Sequence, residues 1–435
     1  MSTRGTSPGE EMHAFVRELY PLCRSITGDG VRASLEILSR TLPLTVHEVP
    51  SGTRVLDWTV PLEWNIRDAW IKSSRGEKIV DFRRSNLHVM GYSVPVRARL
   101  PLSELKGHLH SLPEHPDWIP FRTSFYDEQW GFCLSDRQLA ALTEDDYEVC
   151  IDSTLAPGHL TYGECVLAGD SSDEVLISCH VCHPSLCNDN LSGMVVAAFL
   201  GRALSARPRR YTYRFLFIPG TIGSITWLAR NEASVARIRH GLVLTCVGDP
   251  GQPTYKRSRR GDAEVDRVVA QVLLHRAPAH EILEFVPWGY DERQYGSPGF
   301  DLPVGCLMRT PHGCFPEYHT SADDLSLVRP QPLAESLALC EEIVASLEAN
   351  RVYLNRNPKG EPQLGKRGLF GPVGGQRRGS DDLALLWVLN LADGRHSLLD
   401  VAERSGLSMA LIRDAAARLL EHELIEECST GGVAA

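Results

Sequence analysis

Apolar residues recur along this chain in two rhythms, and the rhythms alternate. Residues 147–151, 175–178, 213–218, 242–247 and 302–307 are short runs rich in β-branched and aromatic side chains. Residues 193–204, 222–230, 263–275 and 333–347 carry their apolar residues at helical spacing. Strands alternating with helices predict an α/β fold, a twisted and mostly parallel sheet covered on both faces. Near the start, Met12, Phe15, Val16 and Leu19 share a helical face, and Asp29 stands where it could cap a second helix over 31–42.

Between about 49 and 149 the texture changes. Residues 55–60, 69–73 and 78–82 read as short strands broken by Gly and Pro. Trp58, Trp64, Trp70, Trp118 and Trp130 cluster here. Buried packing is the expected fate of these rings, with a stacking surface for sugars or bases as the alternative. Residues 355–380 form a Gly/Pro/basic linker with little periodicity. Beyond it, 382–391, 398–405 and 408–421 read as three helices, Gly406 marking a turn and Ser408 an N-cap, which fits a small winged-helix unit.

At 435 residues the chain needs two or three cores. A hydrophobic share of 43% and a charged share of 23% belong to a soluble globular protein. No apolar run approaches the ~20 residues of a membrane span. The net charge of −10 argues against broad attraction to nucleic acid or anionic membrane. Residues 380–435 hold ten acids against four arginines, so Arg413 and Arg418 beside Asp414 and Glu421 offer phosphate little attraction. Protein contact or self-association is the expected role of that unit. Twelve cysteines without a signal-peptide-like apolar core read as reduced thiols in a cytoplasmic protein.

The densest chemistry lies in Cys179-His-Val-Cys-His-Pro-Ser-Leu-Cys-Asn-Asp-Asn-Leu-Ser-Gly193, a polar loop between a strand and a helix. His180, His183 and Asp189 would stand at a strand's carboxyl end, where open α/β sheets place ligands. Imidazole and carboxylate suit zinc. Cys179-His-Val-Cys-His183 also has the spacing of covalent haem attachment, which the missing export signal disfavours. A structural zinc site on Cys179, Cys182 and Cys187 lacks a second CxxC pair, and plain core packing is the remaining alternative. Strand alternation makes His180 and Cys182 face together, so His183 joins His180 only if the chain turns first, which Pro184 favours.

Downstream acids are candidates for moving a proton or holding an ammonium: Asp249, Asp291, Glu292 and Glu317. Arg293 could grip a substrate carboxylate, and the basic run ending at Arg260 could face an anion. For each of these, a solvated loop or a surface ion pair is the ordinary alternative.

This loop, with Phe217-Ile-Pro-Gly-Thr-Ile-Gly-Ser224, Asp291-Glu-Arg-Gln-Tyr295 and Glu317-Tyr-His-Thr-Ser-Ala-Asp323, resembles a bacterial aminopeptidase-like family of zinc-exopeptidase fold, across about 20–370. The resemblance implies an aminopeptidase-like domain begun by residues 1–50 and completed by 147–354, an inserted β-rich domain over 51–146 that could act as a lid, a linker over 355–379 and a winged helix over 380–435. Residues 86–93 and 108–110 would be the insertion's contributors to the cleft. The resemblance makes Asp189 the carboxylate that bridges metals and His319 the distal histidine ligand. His183, Asp189 and His319 are then the preferred set for one or two zinc ions, with His180 as a further ligand or support. Glu317, Glu292 or Asp291 would serve catalysis, and Arg293, Tyr318 or Arg260 would contact substrate. One departure stands out: Gly220 and Thr221 occupy the place of the glutamate pair of related exopeptidases, and 244–248 lacks an expected acid.

The expected activity is zinc-dependent hydrolysis of an amide in a small polar or peptide-like substrate, with no membrane partner and self-association open. A non-catalytic ligand-binding protein, or an amide-forming or cyclising biosynthetic enzyme, are the rivals.

Overall fold

The computed structural model describes residues 7–143, 145–370 and 379–428. These fall into two compact units: one runs to Gly261 and adds Glu281–Leu337, the other joins Asp262–His280 to the residues from Ala338 onward.

The first unit is organised by an eight-stranded sheet of β1 (Thr45–Pro50), β2 (His159–Leu167), β3 (Glu174–His180), β4 (Thr212–Ile218), β5 (Ile238–Leu244), β6 (Thr254–Lys256), β7 (Glu281–Leu283) and β8 (Val304–Met308). Its order is β1-β2-β4-β3-β5-β8-β6-β7. The four central strands, β4, β3, β5 and β8, are parallel, and antiparallel partners flank them on both sides. Every residue of β3 is buried, as a strand covered on both faces requires. Helix Gly193–Ser205 lies against β3 and helix Asp29–Ser39 against β2. The expected mixed α/β sheet is therefore present.

Three sequence expectations need correction here. The apolar run at 147–151 does not enter the large sheet. It lies in the strand Asp146–Ala156, at the centre of an antiparallel four-stranded sheet with Lys78–Asp81, Glu63–Lys72 and Val96–Pro101. Asp29 does not cap the second helix. Gly28 is the cap residue at φ +96°, and Asp29 sits in the first turn, paired with Arg32. Of the five clustered tryptophans only Trp64 is buried, and Trp58 is 46% exposed.

The connection between the first two helices has a structural task. Arg24 is buried at 2% exposure, and its guanidinium donates to the carbonyls of Leu19 (2.7 Å), His183 (2.8 Å) and Pro184 (2.8 Å). The fork-shaped donor fits several acceptors at once, which an ammonium cannot.

The second unit is a winged helix with an added helix. Strand Val352–Asn355 lies between Asp393–Ser397 and Ile425–Glu427, and helices Ser380–Leu391, Leu398–Ser405 and Met409–Glu421 complete it. Ser408 accepts the Leu411 amide as expected of an N-cap, and Gly406 takes the left-handed conformation at φ +68°. The helix expected over 263–275 belongs here rather than beside the large sheet. As Glu264–Arg276 it ties to the winged helix through Arg267 with Asp400 and through Gln271 Nε2 donating to the Leu407 carbonyl at 3.0 Å. Among the described residues no helix is long and apolar enough to cross a membrane, and all twelve cysteines are free.

Arg24→Ala should lower unfolding free energy by roughly 2–4 kcal/mol, because three buried carbonyls lose a charged donor. A lower urea midpoint at unchanged slope would register this, and Arg24→Lys should recover only part of it.

Candidate metal centre

β3 ends at His180, and Val181 still donates to the Ile218 carbonyl at 3.1 Å. The chain then turns under the grip of Arg24, so strand alternation lapses and His183 swings to the side of His180. Their rings lie 5.0 Å apart. The next turn, Cys187–Ser192, is built by its own polar residues. Asn188 donates to Asp249 at 2.9 Å and accepts from the Gly248 amide at 3.0 Å. Asn190 donates to the Leu244 carbonyl at 3.0 Å and accepts from the Gly193 amide at 3.1 Å. Both asparagines thus pin the turn to the end of β5. Gly193 permits this closeness, since a Cβ there would stand 2.3 Å from the Leu244 carbonyl oxygen. Between the two pins, Asp189 is left pointing at the histidines. The Asp189–Asn190 peptide is cis.

Asp323 fixes the same turn from the other side. Its Oδ1 accepts from the amides of Cys187 (3.1 Å) and Asn188 (2.6 Å), and its Oδ2 from Asp189 (3.0 Å). Burial pushes this carboxyl up to about 8, against the pull of those amides. His319, four residues earlier, is thereby brought to the turn. It has a left-handed backbone at φ +56°, unusual for a non-glycine residue and common where a site dictates conformation. Tyr318 stacks on its ring at 3.9 Å, and the Phe121 amide donates to its carbonyl at 2.8 Å.

The result is one fully buried carboxylate among three imidazoles. His180 Nε2 is 2.7 Å from Asp189 Oδ1, His319 Nε2 is 2.9 Å from Oδ2, and His183 Nε2 is 3.8 Å from Oδ2. Burial opposes charge on Asp189, but the surrounding histidines hold it well below the usual carboxylate range. Burial drives His183 well below its ordinary value, leaving the neutral imidazole that a metal ligand must be. Ligand atoms of His180, His183 and Asp189 lie within 4.8 Å of one another. Donor type, protonation and spacing all fit a divalent cation.

Beside this cluster lies a cleft of about 340 Å³ lined by His183, His319, Arg293 and Tyr290, with Trp58 and Tyr126 on the side of the β-rich segment. Arg293 Nε is buried without a partner among the described residues. The segment expected at the rim, 86–93 and 108–110, is engaged elsewhere: His88 meets the Cys133 carbonyl at 2.8 Å, and His108 stacks on Trp130 at 3.6 Å.

Other candidates are distributed unevenly. Glu292 is buried, ion-paired with Lys256 and capping the Tyr290 amide, so its charge is already matched. Asp291 is sealed from solvent, accepts from Ser224 Oγ at 2.7 Å and is pushed up to about 6 by burial. Glu317 is half-buried in the loop before His319 and outside the cleft lining. Tyr318 contacts His319 rather than the cleft, and Arg260 is spent at the surface on Asp301.

Several contributors escaped the sequence reading. Tyr290 stacks on His180 at 3.7 Å, and its hydroxyl lies 3.2 Å from Cys182 Sγ. A Cβ on Gly220 would fall 1.9 Å from the Tyr290 ring, so the ring fills the space a side chain at 220 would take. Cys246 and His312 supply ligand atoms within 4.8 Å of Asp189. His312 stands alone in Thr310-Pro-His-Gly313, where no spacing marks it.

The sheet, with this cluster at its strand ends, defines a protein of zinc-aminopeptidase fold. A zinc aminopeptidase from Bacillus subtilis superposes with a TM-score of 0.57 at 13% identity, over 78% of this chain and 95% of that one. Residues 13–350 match the family described as domain of unknown function DUF4910, and residues 351–427 match a winged helix-turn-helix family. The chain belongs to the DUF4910 family. A Clostridium acetobutylicum protein called a putative polysaccharide biosynthesis protein with aminopeptidase-like domain is 51% identical over 422 residues, 96% of each chain. A crystal structure of a putative peptidase from that organism superposes with a TM-score of 0.92 at 50% identity, covering 97% of this chain and 96% of that one.

Asp189→Asn should weaken zinc binding by at least about 100-fold, beyond the loss typical of an outer partner. Competition with a chromophoric chelator measures this, while an unchanged circular dichroism spectrum shows the fold intact.

Proposed function

We propose that the chain is a zinc-dependent, aminopeptidase-like hydrolase that cleaves an amide of a small polar or peptide-like substrate. The observation that carries this is the convergence of His183, Asp189 and His319 at the wall of a cleft. The kinship to an aminopeptidase-like protein supports it. A bound ion would supply a polarised carbonyl and acidified water.

The chain's own residues do the rest. His183 and His319 hold the metal with Asp189, and His180 steadies Asp189 Oδ1. Arg293, which lines the cleft, orients a carboxylate or other anionic group of the substrate. Trp58 and Tyr126, with ring centroids 5.6 Å apart, offer an apolar rim that narrows entry, the lid role assigned to the insertion. Glu317, in the loop before His319 but outside the cleft lining, is the acid left for moving a proton. Its carboxylate has no ion pair or side-chain hydrogen bond among the described residues, whereas Lys256 neutralises Glu292.

One observation favours a second reading. The Tyr290 ring fills the side-chain space at Gly220, where related exopeptidases carry an acid. That supports a chemistry other than peptide hydrolysis, and the relative's name ties that protein to polysaccharide biosynthesis.

For the winged helix we propose protein contact or self-association rather than nucleic-acid binding. Arg413 is turned to Glu342 at 3.3 Å and Arg418 to the Leu369 carbonyl at 3.4 Å, which leaves little free positive charge.

His319→Ala should abolish amide cleavage by the zinc-loaded protein across a panel of aminoacyl anilides and N-acylated amino sugars. A chelated wild type should lose activity and regain it with zinc. Full turnover by the metal-free protein would reject the proposal. Arg293→Ala should raise KM for anionic substrates about 10–100-fold with little change in kcat, the worth of a charged hydrogen bond.

A further inference from the structure

A second cleft, of about 330 Å³, adjoins the one beside the histidines and shares Phe125 and Tyr126 with it. Thr59, Leu62, Asp127 and Glu128 stand in its wall. The two clefts are lobes of one opening, and Trp58 meets Tyr126 at their junction. Both rings forgo burial. Trp58 stands on a short hairpin of Arg54–Val55 with Trp58–Thr59, where Val55 and Val60 are buried while Trp58 faces outward. Tyr126 is 50% exposed, and its neighbour Phe125 anchors the loop by packing edge-on against Tyr92 at 5.7 Å. Phe125 does so at φ +38°, a conformation that bulky side chains seldom take and that clusters at ligand clamps. Two large rings left open beside a strained anchor mark a surface kept for a ligand.

The chemistry of the wall selects the occupant. The two rings are tilted at 51° and form an open platform, and Tyr92, at 1% exposure, has no face to add. Such a platform does not enclose an ammonium as an aromatic cage does. Among the described residues no lysine, arginine or histidine lines this lobe, so a phosphate or an acidic sugar finds no counter-charge there. Asp127 and Glu128 are exposed and carry no ion pair among the described residues, which leaves their oxygens free to accept from hydroxyls. A flat ring with an apolar face and hydroxyl donors at its edge answers both features.

We propose that this second lobe binds a neutral sugar ring, stacked on Trp58 and Tyr126 with its hydroxyls donated to Asp127 and Glu128. The sugar is the part of the substrate that lies beyond the amide, so the substrate class is a glycosylated amide. The inference deepens the proposed function and rests on its placing the amide at the histidines. Binding in the lobe itself needs neither the metal nor cleavage.

Calorimetry and saturation-transfer resonance on the zinc-loaded full-length protein test it, with N,N′-diacetylchitobiose, cellobiose and methyl α-mannoside as probes. Wild type should bind at least one of them. Trp58→Ala and Tyr126→Ala should each weaken that binding about 10-fold, the worth of a ring contact. Asp127→Ala combined with Glu128→Ala should weaken it similarly. His319→Ala should bind the sugar as wild type does, so sugar binding without amide cleavage would sink the proposed function and keep this lobe. Circular dichroism checks folding, and the two ring variants lie on separate segments, so one remains informative if the other misfolds. No binding of the three probes, or binding that survives both ring variants, would overturn the proposal. Choline binding that displaces the sugars and is lost in Trp58→Ala would overturn it in favour of a cationic ligand.

Discussion

The Asp323 carboxylate holds three successive backbone amides, those of Cys187, Asn188 and Asp189. Such a run of N–H groups closing on one carboxyl group is a fixed, low-entropy clamp. It joins two pieces of chain separated by 134 positions, and it orients Asp189 without using any part of the Asp189 side chain. Every other contact in the centre presupposes it. The asparagine pins set the turn's height over β5, Arg24 sets the path of His183, and the clamp sets where His319 meets them.

This explains which parts were legible in the sequence. Candidate ligands inside Cys179–Gly193 are close in number and legible from one loop, and His319 is legible through the resemblance of its own motif. The side of His183 was open because strand alternation forbids it and a turn permits it; Arg24, more than 150 positions away, decides the matter. Glu292, a candidate for catalysis in the sequence, is paired with Lys256, thirty-six positions earlier in the basic run that ends at Arg260. His312 and Cys246 carry no local pattern at all. Their approach to Asp189 arises only from the parallel order of β3, β5 and β8, which no single stretch encodes. The misassigned run at 147–151 has the same origin: an apolar strand states that it is buried, not in which sheet.

The exchange at Gly220 bears on chemistry more than on stability. An acid at 220 would bring negative charge to a cleft whose lining, among the described residues, holds no acid. The Tyr290 ring, whose hydroxyl burial keeps protonated, adds none. It also screens His180 from the cleft by stacking on it, which leaves His183 and His319 as the imidazoles a ligand would meet.

The helix Glu264–Arg276 is threaded between two strands of the large sheet yet belongs to the winged-helix unit. That unit is therefore discontinuous in the chain, and no single cut detaches it. A shortened protein ending near residue 350 would keep this helix while removing Asp400 and Leu407, the partners of Arg267 and Gln271. Poor behaviour of such a truncation would report the loss of those contacts, and would carry no information on whether the winged helix takes part in catalysis.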